Sequence, residues 1–242
     1  MSRLFNDAAS EGAVYAGAVV TPYPVTMACW FNSDDLTISQ DLMVISTASS
    51  TNNYHVMALR GDVANDPLRY QTKITGTTQN ADTSVGYSAN TWQHACAIGT
   101  SATDRKIYLN GGSSGSNTNS MTPSGMNRTG IGVFPDSTAY MSGSIAEAGI
   151  WNVALTTAEL ALLALGISPL LVRPDSLVSY WPLIGYSSPE LDFMGPAALT
   201  LTGTVAGAHP RVIYPSHSKL FLPAAAVAAT VQQQLTLLGV GA

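Results

Sequence analysis

The sequence predicts an all-β sandwich carrying one short helix. Short segments alternate apolar and polar side chains with the period of two that a strand imposes, and they recur between clusters of Gly, Pro, Asn, Asp and Ser. Only one segment carries both helix start and helix stop signals. The 242 residues suffice for one large all-β domain. The expected division is an irregular N-terminal arm over 1–12, the sandwich over 13–206 and an extended C-terminal arm over 207–242.

The elements follow in order. Residues 13–21 form a first strand, which Pro22 and Pro24 bend into a second over Val25 to Asn32. There Met27, Cys29 and Phe31 face one way and Ala28, Trp30 and Asn32 the other. Leu42 to Ser46 and Tyr54 to Leu59 are strands broken by a polar turn, and Arg60-Gly61-Asp62 turns the chain into a strand over Arg69 to Thr75. Trp92 to Gly99 alternates again, with Trp92, His94, Cys96 and Ile98 on one face. Lys106 to Leu109 is its expected hairpin partner, closed by Asn110-Gly111-Gly112, since Asn-Gly tolerates positive φ at both positions. Residues 111–127 are rich in Gly, Ser, Asn and Thr and read as an exposed loop. Gly130 to Phe134 and Met141 to Asn152 are strands.

The helix comes next. Thr156 is its N-cap and Glu159 the capping-box partner, while Leu160, Leu162, Leu163 and Leu165 supply an apolar face. Gly166 and then Pro169 end it. Leu177 to Leu183 and Leu199 to Val205 complete the sandwich. Beyond 207 the chain turns Ala-rich, and no charge follows Lys219. Such a tail has no core of its own and is expected to dock on this sandwich or on a neighbouring subunit.

The ordered series Met27-Ala28-Cys29-Trp30-Phe31, Trp92-Gln93-His94-Ala95-Cys96, Lys106-Ile107-Tyr108-Leu109-Asn110-Gly111, Gly143 to Asn152 and Ala154 to Leu160 resembles the laminin-G-like, concanavalin-A-like jelly-roll family over roughly residues 13–205. The resemblance implies a concanavalin-A-like jelly roll, a scaffold used for recognition and assembly more than for catalysis.

Charged residues are 10% of the chain, against roughly 25% in an ordinary soluble domain, while 46% are hydrophobic. No stretch of about 18 apolar residues exists to span a membrane. The net charge of −5 and scattered cations leave no nucleic-acid footprint. No signal-peptide core is evident at the N-terminus, so the product is expected to be made in a cytoplasm and to stay or be assembled there, on a capsid surface in the first reading below. Cys29 and Cys96 both fall in strands, where buried free thiols are favoured over a disulfide.

Catalytic patterns are sparse. The glucan hydrolases of this fold carry Glu-x-Asp-x-x-Glu or Glu-x-Asp-x-Glu, because retaining cleavage needs two carboxylates about 5 Å apart. Glu190-Leu191-Asp192 supplies the first half, but Met194 and Gly195 stand where the second glutamate belongs. His55, His94, His209 and His217 show no metal-binding spacing, and no Gly-x-Ser-x-Gly elbow occurs. An enzyme is not expected, and no cofactor, except that relatives' loop calcium would fall to Asp34, Asp35, Asp136 and Glu147. The family's Gly-x-Ile-Asp-Glu reads Gly143-Ser144-Ile145-Ala146-Glu147 here, with Ala146 in place of the aspartate. The Arg60-Gly61-Asp62 tripeptide is explained by its turn.

Three functions are expected, in this order. The first is a virion structural protein, a capsid decoration or cement protein of a tailed bacteriophage. It would bind the major capsid protein and copies of itself, as the trimer that the resemblance to decoration proteins implies, through Leu4, Phe5, Tyr214, Leu220, Phe221, Leu222, Leu235, Leu237 and Leu238 of the arms. The sparse charge and the resemblance to phage structural modules suggest it. The second is a carbohydrate-binding lectin-like module using Asn52, Asn53, Tyr54, Tyr87 and Tyr140. The third, a glucan hydrolase, lacks half of its carboxylate pair.

Overall fold

The computed structural model describes residues 2–48, 52–134, 139–185 and 188–215. In chain order its strands are β1 (Ser2–Phe5), β2 (Gly12–Tyr15), β3 (Val25–Ser33), β4 (Ser39–Ser46), β5 (Tyr54–Arg60), β6 (Pro67–Ile74), β7 (Thr77–Gly86) and β8 (Gln93–Ser101). There follow β9 (Asp104–Leu109), β10 (Ser113–Asn117), β11 (Arg128–Ile131), β12 (Gly143–Trp151), the helix α1 (Thr157–Ala164), β13 (Leu177–Trp181), β14 (Thr200–Thr202) and β15 (Val205–Gly207). They build two antiparallel sheets. Sheet A runs β10-β9-β8-β3-β12-β1-β15 with β13 also on β12, and sheet B runs β14-β2-β11-β4-β5-β6-β7. This is the all-β sandwich that the alternation predicted, in the jelly-roll form that the resemblance implied.

The main core lies between the sheets. The inward file Met27, Cys29 and Phe31 of β3 meets Met43, Ile45, Met57 and Leu59 from sheet B. A second core lies on the outer face of sheet A, where Cys96, Ile98 and Trp151 are covered by Leu160 and Leu163 of α1 and by Val172. The capping box is formed as predicted: Glu159 N–H donates to Thr156 Oγ1, and Thr156 N–H donates to Glu159 Oε2 at 2.8 Å. Gly166, at φ +89°, ends the helix in a Schellman turn: its N–H donates to Leu163 O and that of Ile167 to Leu162 O. The expected four-leucine apolar face is reduced to two, because Leu162 and Leu165 point to solvent. Cys29 belongs to the inner core and Cys96 to the outer one. Cys29 is opposite Ala95 and Cys96 opposite Ala28, so the two thiols project from opposite faces of one sheet and remain free.

Several expectations are corrected. The segment read as an irregular N-terminal arm contains β1, which pairs with β12 on one side and β15 on the other. Phe5 is buried in the inter-sheet core and is not available to a partner, whereas Leu4 is partly exposed. The Lys106–Leu109 strand does pair with β8, but that hairpin closes at Ala102-Thr103; Asn110 and Gly111, both at positive φ, turn the chain instead into β10. Strand β10 lies inside the stretch read as an exposed loop. It holds its place through Asn117 Nδ2, which donates to Asn80 O of β7 at 2.9 Å, and Ser113 Oγ, which accepts from Val85 N–H at 3.0 Å. Gly115 allows this approach of the two sheet edges, since a Cβ there would lie 1.8 Å from Asp82 O. The expected last strand is two: β14 joins sheet B, and Gly203, at φ +75°, passes the chain to β15 in sheet A.

Strand β12 pairs β1 along its first half and β13 along its second. Its register with β3 shifts between Ala146 and Gly149. Glu147 sits in that bulge with φ +55° and is buried.

Candidate functional site

Helix α1 and its flanking turns cover the outer face of sheet A, whereas sheet B presents an outer face with only a small apolar cluster of Val44, Tyr54, Val56, Ala58 and Phe134. Strand register assembles a site there. Val44, Val56 and Gln71 lie opposite one another across β4, β5 and β6, and Asn80 of β7 continues the row. Ser46, Tyr54 and Lys73 form the next row. The side chains are linked: Tyr54 OH donates to Gln71 Oε1 at 2.7 Å, and Gln71 Nε2 donates to Asn80 Oδ1 at 2.9 Å. Lys73 Nζ stands 6.0 Å from the Tyr54 ring centre, and the Phe134 ring meets Tyr54 edge-on at 5.1 Å. On the other side of the Gln71 row, Arg69 clasps Asp82 through two hydrogen bonds of 2.6 and 2.7 Å.

Beside this file is a recess of about 190 Å³ lined by Ser39, Asp41, Tyr54, Val56, Gln71, Phe134 and Ala139. It is smaller than the roughly 300 Å³ at which pockets for drug-sized ligands begin, so it suits one end of a ligand. Burial pushes the Asp41 carboxyl up to about 7, against the pull of Arg60. The Tyr54 phenol is raised to about 12, first by burial and then by Asp41, with Arg60 opposing. Near neutrality Asp41 therefore exists in both protonation states and can donate or accept. An amide pair, a phenol and such a carboxyl offer alternating donors and acceptors, the pattern that hydroxyl-rich ligands need. A larger recess of about 450 Å³ is lined by Ala18, Val19, Val20, Thr21, Pro22, Tyr23, Pro24, Asn152 and Val178. Its walls are mostly apolar and bring no comparable set of polar groups together, so it is the poorer recognition site despite its size.

The structure separates the residues predicted to bind glycans. Tyr54 lines the recess, and Asn52 and Asn53 lie in the turn that leads into it, Asn53 at φ +58°. Tyr87 does not join them: its ring is buried against Phe31 and its OH donates to Asp35 O at 3.0 Å. Tyr140 is half-buried just beyond Ala139. Asp41, Gln71 and Phe134 were not singled out from sequence, because only the pairing of β4, β5 and β6 brings them to Tyr54.

Of the carboxylates considered for catalysis and calcium, Glu190, Asp192, Glu147 and Asp35 are otherwise engaged. Glu190 is buried and accepts from Arg3 Nε at 3.1 Å and Arg3 Nη2 at 2.8 Å. Asp192 accepts from Ser179 Oγ and from the N–H groups of Tyr180 and Met194. Glu147 accepts from Tyr180 OH at 2.7 Å and Tyr214 OH at 2.6 Å, with His209 Nε2 3.2 Å away. The Asp35 carboxylate caps Thr37. Among the described residues no group of three His, Cys, Asp or Glu could hold a metal ion; Asp136 lies outside them. Tyr214, expected to reach a partner, thus anchors the C-terminal segment to its own sandwich. Leu220, Phe221, Leu222, Leu235, Leu237 and Leu238 lie outside the described residues.

Residues 7–161 match the model of the concanavalin A-like lectin/glucanases superfamily, and the chain belongs to that family. No curated protein matches it. Its fold is similar to a putative carbohydrate binding protein from Bacteroides ovatus, with TM-score 0.63 and 19% identity over 84% of this chain and 58% of that one. It is also similar to the carbohydrate-binding domain of a Ruminococcus gnavus sialidase bound to α2,3-sialyllactose, with TM-score 0.53 and 12% identity over 64% of this chain and 92% of that one. A third likeness is the enzymatically active domain of tailspike protein 2 of bacteriophage CBA120, with TM-score 0.57 and 16% identity over 74% of this chain and 29% of that one.

Proposed function

We propose that this chain is a carbohydrate-binding module whose site is the outer face of sheet B. The observation that carries the reading is the hydrogen-bonded file Tyr54–Gln71–Asn80 beside the Asp41 recess. The file is held in place before any ligand arrives, which lowers the ordering cost of binding. Family membership and the carbohydrate-binding proteins of similar fold support the same reading. The test is a glycan array followed by titration calorimetry of any hit. Gln71→Ala is expected to weaken binding by about tenfold, the equivalent of roughly 1.4 kcal/mol, at unchanged thermal stability. Unaltered affinity in that variant, or no glycan bound at all, would refute the site.

A second reading places the module on a virion, as a capsid decoration protein contacting the major capsid protein and its own copies. It is favoured by the 10% charge content, which leaves the surface poorly protected against association. Its N-terminal support is weaker than the sequence promised, because β1 is part of the sheet. Co-sedimentation of the purified protein with capsids lacking it tests the reading.

A further inference from the structure

The outer face of sheet B differs in charge from the chain as a whole, whose net charge is −5. On β4, β5, β6, β7 and β11 the charged side chains that strand alternation sets on the Tyr54 side are Arg60, Arg69, Lys73 and Arg128 against Asp41 and Asp82. Arg69 is matched by Asp82, and Arg60 by Asp62 of the turn that follows it. Lys73 and Arg128 have no carboxylate partner among the described residues.

Register sets these two cations in one row. Arg128 of β11 is opposite Ser46 of β4, Ser46 is opposite Tyr54 of β5, and Tyr54 is opposite Lys73 of β6. Neighbouring strands lie about 4.8 Å apart, so the row separates Arg128 from Lys73 by about 14 Å, the length of a short oligosaccharide. Both cations are half-buried, and charges so placed are screened less by salt than fully exposed ones. Lys73 Nζ lies over the Tyr54 ring. Between Arg128 and Tyr54, Ser46 Oγ is shut off from solvent and lacks a hydrogen-bond partner among the described residues. A buried hydroxyl left in that state costs stability, and a ligand oxygen drawn in by Arg128 would satisfy it. The neighbouring Tyr54–Gln71–Asn80 file supplies neutral donors and acceptors for hydroxyls. Asp41 is opposite Ala58, two rows from Tyr54, so its carboxyl falls at the far end of the recess from Arg128 and Lys73.

Resting on the carbohydrate-binding reading of this face, we propose that its ligand is an acidic saccharide whose carboxylate or sulfate groups pair with Arg128 and Lys73 at the two ends of the Tyr54 row. The guanidinium takes an oxyanion through two parallel hydrogen bonds, and the ammonium acts as a point charge. The test is an array in which each uronate-bearing or sulfated oligosaccharide stands beside its carboxyl-reduced or desulfated counterpart, probed with the full chain. An acidic member is expected to bind about tenfold or more tightly than its neutral counterpart, and which counterpart loses affinity tells carboxylate from sulfate. Lys73→Gln and Arg128→Gln should each narrow that preference severalfold, while Lys73→Arg, which keeps the charge, should retain it. Equal binding of both members, or preference for the neutral one, would overturn the proposal and leave the carbohydrate-binding reading standing so long as Gln71→Ala weakens both. Binding to no member of any pair would overturn the two together. A preference for the acidic member that survives both charge removals would take the anion away from this row and equally overturn the proposal.

Discussion

The pH dependence of stability tests the reading of Asp41 as a buried, half-titrated carboxyl in the recess. Burial lowers His55 to about 3, aided by Arg105, and lowers His94 to about 3. His55 Nδ1 is 2.8 Å from Tyr70 OH, and no described residue pairs with His94 Nδ1. Both imidazoles are therefore neutral when folded at pH 5–6, yet protonated in the unfolded chain below about 6.5. Each makes the unfolded state bind one more proton, so each raises stability as pH rises. Asp41 acts the other way. With its folded value at about 7, it is protonated in the folded state and ionised in the unfolded one, so its contribution is lost as pH rises. Near pH 5 the three groups leave a net excess of about one proton on the unfolded chain, falling to about half a proton by pH 6.2 as the unfolded imidazoles lose theirs. Stability near pH 5 then climbs by about 1.4 kcal/mol per pH unit. The lowered groups Asp62 and Glu159 act below this window. Asp41→Asn removes the opposing proton, and the slope should rise to about 2.7 kcal/mol per pH unit. Urea unfolding at four pH values, with m held fixed, measures both slopes. Equal slopes in parent and variant would show that Asp41 is ionised in the folded protein, and the argument for its dual donor and acceptor role would fail.

Other consequences concern packing. Glu190→Gln should lower stability by about 3–5 kcal/mol, because it removes the buried carboxylate charge that Arg3 Nη2 meets at 2.8 Å; a loss under about 1 kcal/mol in chemical denaturation would contradict this. Cys29 and Cys96 should react with a thiol reagent only after unfolding, since both are fully buried and burial raises their thiols, Cys96 to about 12; rapid labelling of the folded protein would contradict this. Gly115→Ala should cost about 1–3 kcal/mol by forcing β10 away from β7, read as a fall in the urea midpoint, and a midpoint unchanged from the parent would mean that the edge contact is loose.

What could be read from sequence depended on whether one strand carried its own signal. Strand β3 did, because its inner file of Met27, Cys29 and Phe31 is apolar while its outer file is mixed. Helix α1 did, because its caps are local hydrogen bonds written in Thr156, Glu159 and Gly166. Strand β7 did not: Thr77-Thr78-Gln79-Asn80 gives no alternation, since this edge strand buries only Ala81 and Thr83 well. Strand β10 is polar throughout and is held by side-chain bonds to β7 that no local pattern announces. Nor did β1, whose four residues look like a terminus until β12 and β15 pair with them. The site shows the same division. Tyr54 stood out as an aromatic beside an Asn-rich turn. Gln71 and Asn80 are ordinary polar residues until cross-strand register sets them in one row.

The two outer faces of the sandwich are put to different uses, and the bulge at Glu147 explains how. By breaking the register of β12, it leaves room for β1 on one half of the strand edge and β13 on the other. The inward carboxylate then binds Tyr180 from β13 and Tyr214 from the C-terminal segment. A non-glycine residue at φ +55° carries a backbone cost of order 1–3 kcal/mol, and two phenol hydrogen bonds to a buried carboxylate offset it at about 1.5–3 kcal/mol each. The bulge therefore joins three chain segments that sequence separates, and it fixes the α1 layer and the C-terminal segment to sheet A. Among the described residues no helix layer is fixed to sheet B in this way, and its outer face is where the linked amides and the titrating carboxyl are found. Glu147→Gln keeps one acceptor oxygen for a tyrosine but removes the charge. It should loosen the C-terminal segment before it disturbs the recess, so hydrogen exchange at Ile213 should accelerate while glycan affinity at Gln71 stays unchanged. Loss of both together would mean that the two faces are coupled through the core and not independent.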